Sequence, residues 1–198
     1  GGGGAIVNVG ILEITSSEFS ENKATIGGGA IVNLTNGTAT IGNTTIAKNL
    51  STDGGAIINL EYSTLTLVNS TLSHNSGGGL YIFGGTVHLK NSILANNTIQ
   101  PDCYKVGGNV ATNLNTLIEN NASGVSSCGT PLLTNDPILG TLTGSPAYFP
   151  LTAGSPAINR GDDTVCADAP VNSTSQNGVA RPQGAHCDIG AFEFESKP

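Results

Sequence analysis

Apolar and polar residues alternate through four short stretches of this chain: "LEITS" at 12–16, "ATIGN" at 39–43, "LTLVN" at 65–69 and "VHLKN" at 87–91. Leu12, Ala39, Leu65 and Val87 make one apolar column, and Ile14, Ile41, Leu67 and Leu89 make a second, two residues on. Glu13, Thr40, Thr66 and His88 stand between them. A period of two with one apolar face is the signature of a half-buried strand, and no 3.6-residue period competes with it. Each stretch is therefore predicted to be a strand with one face inward.

The strands recur with their surroundings. "GGGAIVN" occupies residues 2–8 and again 27–33, with weaker copies "GGAIIN" at 54–59 and "GGGLYIF" at 77–83. The aliphatic residue of that motif falls at Ile6, Ile31, Ile57 and Leu80, which are 25, 26 and 23 residues apart. A third signal keeps step: "FSEN" at 19–22, "IAKN" at 46–49, "LSHN" at 72–75 and "LANN" at 94–97. Each unit reads as three short strands separated by turns. A repeat of this length cannot bury its apolar edge alone and must stack on its neighbours. The predicted fold is all-β, a right-handed parallel β-helix (β-solenoid) with coils of about 25 residues, each about 4.8 Å above the last.

Stacking gives the asparagines a role. Asn8, Asn33 and Asn59 share a column; Asn22, Asn49, Asn75 and Asn97 share another; Asn43, Asn69 and Asn91 share a third that begins at Ser16. Strand hydrogen bonds stop at a corner, and a stacked Asn brings both a donor and an acceptor for its counterparts and for the turn backbone. The glycines before each aliphatic residue are expected to supply positive φ at a tight corner. A phosphate-binding loop would need a helix after the glycines, and a β-rich stretch follows instead.

Composition narrows the class. In 198 residues there are 28 Gly and only 11% charged residues, against roughly 25% in an ordinary soluble domain. The net charge of −7, without a basic cluster, favours neither a nucleic-acid nor an anionic-membrane partner, and no apolar run is long enough to span a bilayer. Residues 1–98 read as regular coils and 99–198 as an irregular continuation and closing region of the same domain. The chain opens on "GGGGAIVN", in mid-repeat, as a piece of something longer would. Cys103, Cys128, Cys166 and Cys187 form no C-x-x-C pair. Three disulfide connectivities are open to them, of which sequential pairing closes the two shortest loops, and an even count fits an oxidising, extracytoplasmic setting. The sequons "NTT" at 43–45 and "NLS" at 49–51 arise by chance in such Asn/Thr-rich sequence.

The paired "GGAI" and "FSEN" signals resemble the GGAI/FxxN repeats of chlamydial polymorphic outer-membrane proteins and related bacterial surface β-helices. In the second half, "DCYKVGGNVATNLNTLI" (102–118), "NDPILGTL" (135–142), "AGSPAINRGD" (153–162) and "RPQGAHCDIGAFEF" (181–194) are similar, in this order, to the terminal region of bacterial choice-of-anchor Q β-helix proteins. "TSQNGVARP" at 174–182 departs from that family, which more often has an acidic residue, Gln, Arg and Gly ahead of the Arg-Pro. The resemblance implies a secreted or surface-attached β-helix passenger, no catalytic residues, and disulfides Cys103–Cys128 and Cys166–Cys187.

An enzyme acting on polysaccharide is the rival reading. It would need converging carboxylates, with calcium or a basic residue, or two acids at a fixed separation. Glu13 shares its column with Thr40, Thr66 and His88, and Glu21 shares one with Lys48, His74 and Asn96, so neither column holds two acids. Glu21 and Lys48 read as a surface ion pair of little value. Asp162, Asp163 and Asp168 cluster near Arg160 and Arg181; they are the candidates for a metal site or an acid pair, against turn caps paired with arginine. His74, His88 and His186 show no ligand spacing, and no cofactor is implied. Nine aromatics without Trp supply a sugar-stacking surface poorly; Tyr81 and Phe83 are the candidate pair, with packing the simpler reading.

The expected function is structural or adhesive, in a stalk or subunit of an extracellular or cell-surface assembly, with glycans as alternative ligands. An open β-helix exposes unpaired backbone at its end. The C-terminal half has chain enough to close its own end, whereas coil 1 begins at Gly1 with no covering segment. Gly3, Ala5, Ile6 and Val7 are therefore expected to meet more of the same polypeptide or a partner subunit.

Overall fold

The computed structural model describes residues 2–195 and is almost entirely β. Gly1 lies outside the described residues. Three parallel five-stranded sheets stack along a common axis as a β-solenoid of five coils. The first sheet contains Ile6–Asn8, Ile31–Asn33, Ile57–Asn59, Leu80–Ile82 and Cys103–Lys105. The second contains Ile11–Thr15, Thr38–Gly42, Thr64–Val68, Thr86–Lys90 and Asn109–Leu114, and the third Glu18–Ser20, Thr45–Ala47, Thr71–Ser73, Ile93–Ala95 and Leu117–Ile118. After residue 98 a fifth coil continues all three sheets.

Pairing follows the columns of the sequence. Ile6 faces Ile31, then Ile57 and Leu80. Ile14 faces Ile41, then Leu67 and Leu89. The side chains inside the coils make one continuous core in which Ile31, Ile41, Ile46, Leu65, Leu67 and Leu72 are fully buried. A register shift between Val87 and His88 puts Asn113, rather than an aliphatic residue, opposite Leu89 in coil 5.

The glycine motif meets the expectation only in part. Gly27, Gly77 and Gly78 have φ of +120°, +110° and +99°, whereas Gly4 and Gly55 do not need a positive φ. A Cβ on Gly4 would strike the Gly29 carbonyl, and one on Gly55 the Gly79 carbonyl. At this corner successive coils touch backbone to backbone, so the missing side chain matters more than the missing φ restriction.

The two ends of the stack differ. At coil 5, residues 119–133 cross the open end: Ala122 N–H donates to Cys103 O (3.1 Å), Ile118 N–H to Leu133 O (3.0 Å) and Leu133 N–H to Thr116 O (3.1 Å). Cys128 sits fully buried in the inner core and is bonded to Cys103, while Asn113 Nδ2 donates to Cys128 O (2.9 Å). At coil 1 all three strands are sheet edges. Ile6, Leu12 and Phe19 point inward but are only partly buried, where Ile31, Ala39 and Ile46 directly above them are fully so.

Residues 134–194 do not extend the stack. They return along the outside of the third sheet, from Leu133 and Leu117 at coil 5 to Glu18 in coil 1, whose carboxylate accepts Ala147 N–H (3.2 Å). A second apolar core forms between sheet and return segment, from Ile93, Ala95 and Leu117 on one side and Leu151, Ala157 and Ile189 on the other. The segment carries a short antiparallel hairpin (Thr143–Gly144 with Ala147–Tyr148) and one helix, α1 (Asp163–Ala167), and Cys166 is bonded to Cys187 within it. The third sheet is therefore buried on both faces, which is why Thr45–Ala47, Thr71–Ser73 and Ile93–Ala95 contain no exposed position. The two disulfides fit an oxidising compartment. No helix among the described residues is long and apolar enough to cross a membrane.

Leu67→Asp is expected to abolish cooperative urea unfolding, because an unpaired carboxylate in this core costs several kcal/mol. Thr66→Asp, one residue away on the outer face, should shift stability by less than about 1 kcal/mol. Equal effects of the two in denaturation curves would contradict the alternation.

Candidate functional site

Two asparagine columns form hydrogen-bonded ladders. Asn8 Nδ2 donates to Asn33 Oδ1 (2.8 Å) and Asn33 Nδ2 to Asn59 Oδ1 (2.9 Å). Asn22, Asn49, Asn75 and Asn97 are linked in the same way at 2.8–2.9 Å. Every amide needs an acceptor above it, and Asn97, the last, finds Asp102 Oδ1 at 2.7 Å. Asp102 also accepts Asn97 N–H and Asn120 N–H, and burial raises its carboxyl above the ordinary range despite those bonds. Asp102 carries no periodic signal in the sequence, and neither was an inner hydroxyl column expected, in which Thr44 N–H donates to Ser70 Oγ (3.3 Å) and Ser70 N–H to Ser92 Oγ (3.2 Å).

The third column departs from the expected ladder. Asn43, Asn69 and Asn91 have φ between 43° and 47°, and that left-handed bend carries their side chains toward the return segment. Only Asn91 and Asn69 touch within the column, at 3.3 Å. Asn43 Nδ2 donates to Thr174 O (2.6 Å), Asn69 Nδ2 to Cys166 Sγ (3.3 Å) and Asn91 Nδ2 to Asp162 O (3.0 Å), while Asn91 Oδ1 accepts Asp162 N–H (2.8 Å). These residues fasten the return segment to coils 2, 3 and 4.

The three candidate aspartates are brought to one region but not to one point. Asp162 caps α1, accepting Thr164 N–H (2.9 Å) and Val165 N–H (3.1 Å). Asp163 pairs with His186 Nδ1 (2.8 Å) and accepts Cys187 N–H (2.8 Å), and these partners hold its carboxyl below the ordinary range. Asp168 ends α1 on the exposed surface. A metal site built on these three is corrected by this spread, and no other group of three His, Cys, Asp or Glu gathers among the described residues. Their pairing with arginine is corrected too: Asp163 takes histidine, and Arg181 takes Glu193. Glu21 and Lys48 form no salt bridge among the described residues, in keeping with the small Coulomb gain of an exposed pair against side-chain entropy.

His186 and Asp163 lie in an open cleft of about 510 Å³ with Asn115, Asn159, Arg160 and Thr164. Asp163 occupies Nδ1 and so orients the ring, leaving Nε2 as the nitrogen available for proton transfer. His74 instead stacks on Phe149 (centroids 5.0 Å apart), and burial lowers its pKa. His88 meets Thr112 Oγ1 at 3.0 Å on the outer face of the second sheet.

A buried ion cluster closes the return segment. Arg181 donates to Glu193 Oε2 (3.1 Å), Asp188 O (2.9 Å) and Gly190 O (2.8 Å). Glu193 accepts Gln183 N–H and Asp188 N–H, and Asp188 accepts Asn159 N–H and Phe194 N–H. Burial lowers the Arg181 guanidinium to about 10, so it stays charged at neutral pH, and pushes both carboxyls up. Comparison of the chain with protein-family models, curated proteins and solved structures found no match.

Because the folded carboxyls titrate above their unfolded values, their stabilising contribution is complete at pH below those values and is lost as pH rises through the folded pKa. Arg181→Gln removes the cation that offsets this loss. It should cost about 3–5 kcal/mol at pH 7 and distinctly less near pH 4, where the protonated acids no longer need a partner. Urea midpoints at the two pH values decide it; a loss independent of pH would refute the buried-charge explanation.

Proposed function

We propose that this chain is a structural unit of an extracellular or cell-surface assembly, a rigid β-solenoid carried through its coil 1 end by further coils of the same polypeptide or by a partner subunit. The observation that supports this reading is the asymmetry of the ends. Coil 5 is closed by residues 119–133 and a buried disulfide, while coil 1 presents three edge strands and the half-covered side chains of Ile6, Leu12 and Phe19. Gly4, Ala5 and Ile6 already give their N–H groups to coil 2, so the remaining backbone of this edge faces away from the stack. Such an edge is a template for strand addition. The resemblance to choice-of-anchor Q β-helices, secreted or surface-attached, agrees with it.

The second reading, a polysaccharide-processing enzyme, is favoured by one observation: a carboxylate-oriented histidine and an arginine share an open cleft. In that reading His186 is the base and Arg160 binds an anionic substrate. His186→Ala would then abolish turnover of a uronate polymer without changing stability.

Under the structural reading, residues 1–198 alone should self-associate with rising concentration through coil 1. Leu12→Lys, which places a charge at that end, should return the chain to monomer in sedimentation velocity. A stable monomer at all concentrations that cleaves a polysaccharide in a His186-dependent way would reverse the assignment.

A further inference from the structure

The outer faces of the three sheets have different fates. The return segment covers the third, and the second is polar, with Glu13, Thr40, Thr66, His88 and Thr112 in its central column. The first is apolar, and in its central column Val32 and Ile58 are buried while Val7, Tyr81 and Tyr104 keep exposed surface. Its central column ends in Tyr81 and Tyr104, and Phe83 stands beside them. The rings form a wall: Tyr81 and Phe83 have centroids 4.7 Å apart, and Tyr81 and Tyr104 5.0 Å. Phe83 is 42% exposed, and Tyr62, 78% exposed, lines the same cleft.

That cleft, about 480 Å³, is floored by Gly84, Gly85, Gly107 and Gly108 and edged by Glu61, Ser63 and Thr86. On the other side of the wall Tyr104 borders a second hollow of about 500 Å³ with Pro101, Asn120, Ser123 and Ser126. Neither hollow is lined by Lys or Arg, and Glu61 is the one carboxylate in them.

We propose that the Phe83, Tyr81 and Tyr104 wall, with Tyr62 in the cleft beside it and a hollow on either side, is a binding site for a neutral glycan. Sequence position gave only Tyr81 and Phe83; stacking of the coils adds Tyr104 and the Tyr62 cleft.

The chemistry selects this occupant. The strand of Tyr81 is paired with coils on both sides, and the edge strand Cys103–Lys105 is met on its far side by the closing segment, where Ala122 N–H donates to Cys103 O (3.1 Å), so an incoming peptide finds little free backbone here. Recognition falls to aromatic faces, hydroxyls and amides. A sugar ring offers an apolar C–H face for the rings and hydroxyls for Glu61, Thr86 and the backbone, and a mixed aromatic and polar hollow is the usual form of a ligand site. A uronate or sulfated sugar would meet a carboxylate and no cation. A second copy of the chain needs roughly 800 Å² per partner, more than three stacked rings and Tyr62 present. The site is independent of what joins coil 1.

The chain has no Trp, and three of its four Tyr (Tyr62, Tyr81 and Tyr104) belong to the site, so a change in tyrosine emission reports mainly on it. Titration with cellohexaose, chitohexaose and mannohexaose, with hexagalacturonate as the anionic counterpart, is expected to give a saturable change for at least one neutral sugar and none for the uronate. Tyr62→Ala and Phe83→Ala should each weaken it at least tenfold with unchanged unfolding curves, and His186→Ala should not. Three results would overturn the proposal: binding of hexagalacturonate alone, no saturable response to any neutral sugar, or a Phe83-dependent dimer that sugars leave intact.

Discussion

Everything in this molecule depends on the parallel hydrogen-bond ladder between coils. Parallel pairing in register places each residue over its equivalent one repeat earlier, so any side chain used once must tolerate a copy of its position above and below. Aliphatic residues satisfy this by continuous packing, as in the column from Ile14 to Leu89. Asparagine satisfies it because its amide donates upward while its oxygen accepts from below. A ladder of identical donor–acceptor groups is one acceptor short at its end, and Asp102 closes it there. That buried carboxylate is a consequence of stacking, with no need for a catalytic role.

The return segment solves a different problem. A solenoid face left apolar must be covered, and the third sheet, with Ile93 and Leu117 pointing outward, is covered by the chain itself. The side chains that hold the cover are Asn43, Asn69 and Asn91, turned outward by their positive φ, and Gly42, where a Cβ would lie 2.6 Å from Pro170 Cγ. The Arg181 cluster makes the cover a defined structure: the two terminal guanidinium nitrogens and both carboxylates find partners in one another or in the surrounding backbone, while Arg181 Nε is left without one.

The coil architecture was legible in the sequence because period-two alternation and a 25-residue repeat are local, periodic signals. The same signals failed where geometry breaks the period. The bulge after Val87 and the cap at 119–133 follow no repeat. The outward turn of Asn43 cannot be told from the inward turn of Asn49 by residue type alone. One clue to the covered face was present: Ala47, Ile93 and Ala95 are apolar at positions that alternation assigns to the outside. Charge clustering near Asp162 misled for a related reason, since residues adjacent in sequence cap a helix and pair with partners in opposite directions. The aromatic wall needed both the stacking rule and a fifth coil to become visible.

We propose that coil 1 is joined to further chain or a partner, while residues 119–133 close coil 5. Hydrogen exchange measured on residues 1–198 alone and on the native assembly tests it most directly. In the isolated chain, amides of residues 6–20 should exchange far faster than their counterparts in coils 2 to 4, and residues 103–133 should be protected. In the native assembly, residues 6–20 should gain protection while 103–133 stay unchanged. Coil 1 amides as protected in isolation as those of coil 3, with no gain in the assembly, would contradict the account.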